Sequence, residues 1–226
     1  VREIALKSNS EQVSINALKL SMVNFDTVLF DATYEEIILH NDFDFVFINI
    51  FMPLMNELGI LWQTGAISPS HEHFLTNLIK QKLHLQTEYL QRNKNLHSES
   101  ITFVLFLPEN EIHELGILYL NYLILSKGHR TIFLGQSLQI SSLETLYSYD
   151  TKFNFVSYIT VEPNKEDIMF YLKDFYKHIL DQQESKLLLF GPQQIAIDTD
   201  NLPPQIELYR SVESFVSKYF PEKVLV

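Results

Sequence analysis

ITFVLFLPENEIHELGILYLNYLILSKG, residues 101–128, decides the fold. Its first eight residues are a continuous apolar run ending at proline, the texture of a strand buried on both faces. The polar loop PENEIHELG (108–116) follows, and residues 113–128 then read as a helix with Gly128 at its C-cap. The same alternation continues downstream. RTIFLG (130–135), FNFVSYIT (153–160) and KLLLFG (186–191) read as strands, with QIELYR (205–210) as a short fifth. Helices are expected over 141–149, 166–180 and 211–220. Strands alternating with helices imply an α/β fold with a doubly wound parallel sheet and right-handed crossovers. No internal repeat or low-complexity tract interrupts it.

Upstream the period changes. SEQVSINALKLSMVN (10–24) and TVLFDATYEEIILH (27–40) space apolar residues at helical intervals. A longer helix is expected from about Phe45 to Trp62, kinked at Pro53 and stopped by Gly65. Ser68-Pro69 supplies an N-cap and a first-turn proline for a fourth helix running to about Arg92. Four amphipathic helices with short connections read as an antiparallel four-helix bundle. RNKNLHSES (92–100) is a polar linker, so the expected domains are 1–96 and 97–226. The opening VREIALKSNSE reads as a linker and, starting on Val, implies a fragment of a longer protein.

Composition narrows the chemistry. The chain of 226 residues has no cysteine, which excludes disulfides, thiolate zinc sites and a cysteine nucleophile, and suits a reducing cytoplasm. A formal charge of −11 argues against gripping a phosphate backbone directly. The apolar run at 45–62 is broken by Asn, Pro and Glu, so no membrane span is expected.

Ligands of a parallel sheet bind at the carboxyl ends of its strands. The loop leaving the first strand carries Glu111, His113 and Gly116, the spacing Glu-x-His-x-x-Gly. An imidazole there can bind a metal through one nitrogen while the carboxylate accepts a hydrogen bond from the other. Glycine at the helix start lets a bulky ligand approach the backbone. Taken alone, such a loop is more simply a solvated one whose histidine caps a helix. A second cluster lies in WQTGAISPSHEH (62–73), where Trp62, the single tryptophan, precedes Glu72 and His73. His71 and His73 point in different directions on a helix, and HExxH is absent, so a zinc site is not expected. His71 is read as a surface residue, His129 and His178 as solvated cations near helix ends, and Tyr119 and Tyr122 as helix packing.

The spaced set Glu111-x-His113-x-x-Gly116, Ser157-x-Ile159 and Phe190-Gly191 resembles the cobalamin-binding fingerprint Asp-x-His-x-x-Gly…Ser-x-Leu…Gly-Gly. That fingerprint belongs to methionine synthase, methylmalonyl-CoA mutase and corrinoid carrier proteins. Glu replaces Asp, Ile replaces Leu, and one glycine is lost to Phe190. In the family those glycines make room for the dimethylbenzimidazole tail; Phe190 could line that slot or block it. Gly135, after the second strand, either faces the corrin or is a plain turn glycine. Trp62, nine residues, then Glu72-His73 resembles the pattern of light-responsive, adenosylcobalamin-dependent transcription regulators of the CarH and LitR kind, a MerR-type branch.

The resemblance implies a helical cap over a Rossmann-like cobalamin-binding domain. It implies His113 as lower cobalt ligand, Trp62 shielding the upper axial group, and Glu72 hydrogen-bonding the adenosyl group. It further implies that His73 coordinates cobalt after photolysis. The cofactor expected is adenosylcobalamin, with methylcobalamin as the variant. The family's helix-turn-helix domain, which reads DNA, is not in this sequence. The expected role is a non-enzymatic, cytoplasmic light sensor that self-associates as a dimer or tetramer, without a membrane. The rival expectations are a methyl-carrying corrinoid subunit of a methyltransferase and a degenerate, cofactor-free interaction domain.

Overall fold

The computed structural model describes residues 2–93, 101–148, 152–181 and 184–221, with side chains from residue 10 onward and excluding 93, 147 and 148. The chain divides into two compact units, Val1–Gln86 and Thr87–Val226. Most of the expected linker, 94–100, lies outside the described residues.

In the first unit, α1 (Arg2–Asn24) and α2 (Thr27–Ile38) are joined by a tight turn through Phe25. The Asp26 side chain caps α2 by accepting the Leu29 N–H at 2.9 Å. α3 spans Phe43–Gln63 and begins at the Asp42 cap. Its expected kink takes the form of a π-helical turn, Phe47–Phe51, just before Pro53. Proline has no N–H to donate, and the widened turn bonds Met52 N–H to the Phe47 carbonyl instead. Gly65, at φ +71°, ends α3, with Ala66 N–H returning to the Leu61 carbonyl at 2.9 Å. α4 (Pro69–Asn93) follows, its last residues falling in the second unit. Leu18, Met22, Phe30, Phe51, Leu54, Leu58, Leu75 and Ile79 are buried in these helices. Lys82 pairs with Asp31 at 2.6 Å and lies over the Tyr34 ring, tying α4 to α2.

One expectation needs correction. The opening residues are helical from Arg2 instead of a linker, because Arg, Glu, Ala, Leu and Lys all favour helix. By length and composition alone, Phe43–Gln63 could also cross a membrane. Its Val46, Phe47, Ile50, Phe51, Leu54 and Leu58 are buried in the chain, and Glu57 pairs with Lys19 of α1 at 2.7 Å.

The second unit is an α/β sandwich on a five-stranded parallel sheet ordered β2-β1-β3-β4-β5. The strands are β1 (Thr102–Pro108), β2 (Arg130–Leu138), β3 (Phe153–Tyr158), β4 (Lys186–Phe190) and β5 (Ile206–Leu208). β1, between β2 and β3, is buried along its whole length, whereas β2 forms an edge. The helices are α5 (Leu115–Ser126), α6 (Ile140–Leu143), α7 (Ile168–Phe175) and α8 (Val212–Tyr219). The helix expected over 141–149 is only the short α6 followed by a 3-10 stretch, Glu144–Ser148. One sheet face packs Val104, Phe106, Phe155 and Leu189 against Leu172, Phe175 and Ile179. The other carries an aromatic group of Phe103, Phe190, Tyr209 and Phe215.

The chain leaves β1 toward β2 on one side and returns to β3 on the other. The carboxyl ends of β1 and β3 therefore form the topological switch point, where loops diverge and a crevice opens.

Candidate functional site

Glu111 sits at that switch point and is fully buried. Its Oε1 accepts the N–H groups of Ile112 and His113, each at 2.9 Å, and the His113 ring Nδ1 at 2.6 Å. Its Oε2 accepts the N–H groups of Thr160 (2.9 Å), Val161 (2.7 Å) and Glu162 (3.0 Å) from the loop after β3. Burial disfavours the charge, but the amides of Val161, His113 and Glu162 and the imidazole outweigh it. They hold the carboxyl down at about 2. An ionised carboxylate can only accept, so His113 Nδ1 donates, and Nε2 is the nitrogen left with a lone pair for a metal. The His113 side chain is 52 % exposed, so that nitrogen is accessible.

The loop is also fixed to the sheet edge. Asn110 N–H donates to Ser137 Oγ at 3.1 Å, and Ser137 N–H to the Glu111 carbonyl at 3.2 Å. β2 reaches this loop through a register shift: Leu105 pairs with Phe133, but Phe106 pairs with Gly135. Gly135, at φ +82°, makes the bulge that permits it. Ile112 and Val161, in the loops after β1 and β3, and Leu134, within β2, are exposed apolar residues.

The other expected residues of this unit are structural as well as near the site. Ser157 faces Phe106 and Leu189 in register and is buried, its hydroxyl without a hydrogen-bond partner. A Cβ on Gly116 would lie 2.6 Å from the Tyr158 ring, so this glycine admits Tyr158. A Cβ on Gly191 would lie 2.2 Å from the Ile159 carbonyl oxygen, and Gly191 has φ +102°. The Ile159 side chain is in the core. Phe190 is buried, stacked on Tyr209 at 5.3 Å and edge-on to Phe215 at 5.3 Å. His129 is not a solvated cation: its ring packs on Phe103 and Phe220. Tyr119 and Tyr122 stack in helix packing, as read.

In the first unit, Trp62 ends α3 with 57 % of its surface exposed. Glu72 lies in the first turn of α4, where its Oε1 accepts the Thr76 hydroxyl at 2.6 Å. Glu72 Oε2 is 2.9 Å from His73 Nδ1, and the His73 side chain is 71 % exposed. This repeats, on a helix, the carboxylate–imidazole pair of Glu111 and His113, again leaving Nε2 for another partner. His71 is more than a surface residue: it bonds Ser68 and stacks on Phe25 at 4.8 Å. Sequence reading missed Thr76, Tyr158 and the amides of 160–162. Backbone donors carry no side-chain signature, but Glu in place of Asp supplies the reach they require.

Residues 14–85 match the family model described as B12 binding domain. The fold is similar to that of a solved structure, the Methanosarcina barkeri monomethylamine corrinoid protein, which superposes with a TM-score of 0.72. That match is 13 % identical and covers 93 % of this chain and 98 % of the other. A cobalamin-binding protein of Desulfitobacterium hafniense matches at 13 % identity and TM-score 0.40, covering 90 % and 96 % of the two chains. The methanol:cobalamin methyltransferase complex of Methanosarcina barkeri matches at 13 % and 0.39, covering 87 % and 74 %. No curated protein matches the sequence.

Proposed function

We propose that this chain is the corrinoid-binding sensory region of a transcription regulator, and not an enzyme. The observation that carries the reading is the buried Glu111 carboxylate, which fixes His113 with Nδ1 as donor and Nε2 available at the switch point. His113 would hold the cobalt of a corrinoid through Nε2. Trp62 would shield the cobalt–carbon bond of a bound corrinoid, and Glu72 would hydrogen-bond its adenosyl group. An adenosylated corrinoid supplies a cobalt–carbon bond that visible light cleaves. His73, exposed and oriented by Glu72, is the residue that would hold cobalt in place of the adenosyl group. The spacing from Trp62 to Glu72-His73 supports the sensor over other corrinoid proteins. Self-association that changes with light is the output expected of it.

The test is co-elution on a sizing column in the dark with adenosylcobalamin or adenosylcobinamide, followed by green light. Bound corrinoid should change its spectrum, and the protein its elution volume, on illumination. If neither corrinoid co-elutes, the reading is wrong. If a corrinoid binds but light leaves the assembly unchanged, the sensory part fails and the binding part stands.

The extent of the fold match, nearly the whole of both chains, favours a second reading as a methyl-carrying corrinoid subunit. Methyl transfer from the methylated corrinoid to a thiol acceptor, with a partner methyltransferase present, would decide for it.

A further inference from the structure

The lower face of a corrin offers cobalt one coordination position. In cobalamin that position is claimed by the benzimidazole base of the nucleotide tail. If His113 takes it, the base must be lodged elsewhere near the strand ends. Two glycines beyond strand ends, Gly116 in the first turn of α5 and Gly191 after β4, carry no side chain that would fill such a slot, yet the space beside each is closed by the chain itself. The space that Gly116 clears is filled by the Tyr158 ring, 2.6 to 2.8 Å from where a Cβ would stand. Gly191 is covered by the Ile159 backbone. Tyr158 and Phe190 are register partners on β3 and β4, so their side chains share one sheet face. On that face Phe190 is packed between Tyr209 and Phe215. A bicyclic base entering there would have to lift Tyr158 from Gly116 and part the aromatic group behind it. Cores packed this closely resist inserted volume. The opposite face is no alternative, because Ser157 there looks into the cluster of Phe106, Phe155 and Leu189.

We infer that Tyr158 and Phe190 determine corrinoid specificity, selecting a corrinoid without a lower nucleotide base, of the cobinamide class, over cobalamin. The inference rests on the corrinoid reading above and concerns only the tail. The upper ligand is independent of it, so an adenosylated cobinamide satisfies both.

The experiment is equilibrium dialysis of the full chain against aquohydroxocobinamide and against hydroxocobalamin. It is paired with electron paramagnetic resonance of the reduced cobalt(II) forms. Cobinamide should bind at least about tenfold more tightly than cobalamin. It should show nitrogen superhyperfine splitting that His113→Ala abolishes. Tyr158→Ala, and independently Phe190→Gly, should raise cobalamin affinity while leaving cobinamide affinity and its splitting intact. Retained cobinamide binding shows that each variant is folded. Cobalamin bound by the unmodified chain as tightly as cobinamide overturns the inference and leaves the corrinoid reading standing. A cobinamide preference unmoved in both variants overturns the assignment to these residues. Binding of neither corrinoid overturns the corrinoid reading itself.

Discussion

At the scale of single residues, Glu111 is the most consequential side chain described. Its carboxyl is lowered from 4.5 to about 2 in the folded chain. A group depressed in this way stabilises the fold fully at neutral pH, and the contribution fades as pH falls from about 5 toward 2. The shift corresponds to stability on the order of 3 kcal/mol. Glu111→Gln should lose about that much at pH 7, measured by urea unfolding, and the gap from the unmodified chain should close near pH 2. A gap that does not change with pH would refute the charge-based account. Glu111→Asp keeps the charge but loses the reach to residues 160–162, so it should fall between the two. The Glu-x-His spacing was legible in the sequence as a carboxylate–imidazole pair. The amides that complete the site were not, because they come from a loop about fifty positions downstream, brought near by the crossover to β3.

At the scale of elements, the strands were read within a few residues, since continuous apolar runs between turns leave few other readings. β2 extends to Leu138, past the expected end at 135, because the bulge at Gly135 carries the pairing onward. Bulges depend on one backbone angle and leave little trace in sequence. Two glycines give a contrasting pair. Gly65 has φ +71° with nothing within 4 Å of an added Cβ, so Gly65→Ala should cost about 1 kcal/mol, the strain of the backbone alone. Gly191→Ala adds a collision with the Ile159 carbonyl and should cost at least about 3 kcal/mol. Thermal melts of the two variants check the ranking, and equal melting temperatures would contradict it.

For the whole molecule, a second carboxylate governs the sheet unit. Glu207 accepts Lys186 (2.8 Å), Lys218 (2.7 Å) and the hydroxyl of Tyr209 (2.5 Å), joining β4, β5 and α8. Burial opposes its charge, but these donors outweigh it and hold the carboxyl at about 2. Glu111 and Glu207 therefore lose their contributions over the same acid range. Acid unfolding of the sheet unit, followed by near-ultraviolet circular dichroism, should be steep between about pH 4 and 2. Replacing both with Gln should flatten that pH dependence, and an unchanged profile would count against it. Both units of the chain, helices first and parallel sheet second, were legible from period alone. The packing of Tyr158 and Phe190 on one sheet face was not, since it depends on the register of two adjacent strands.

One feature also makes the protein its own instrument. The chain has a single tryptophan among eleven tyrosines, and Trp62 stands largely exposed at the end of α3. Its emission therefore comes from one known point on the helical unit. A coloured planar ligand resting against that point would quench it by energy transfer, while a ligand bound elsewhere at greater distance would quench it less. The indole proposed to guard the ligand is thus also a meter of its arrival, readable without any label.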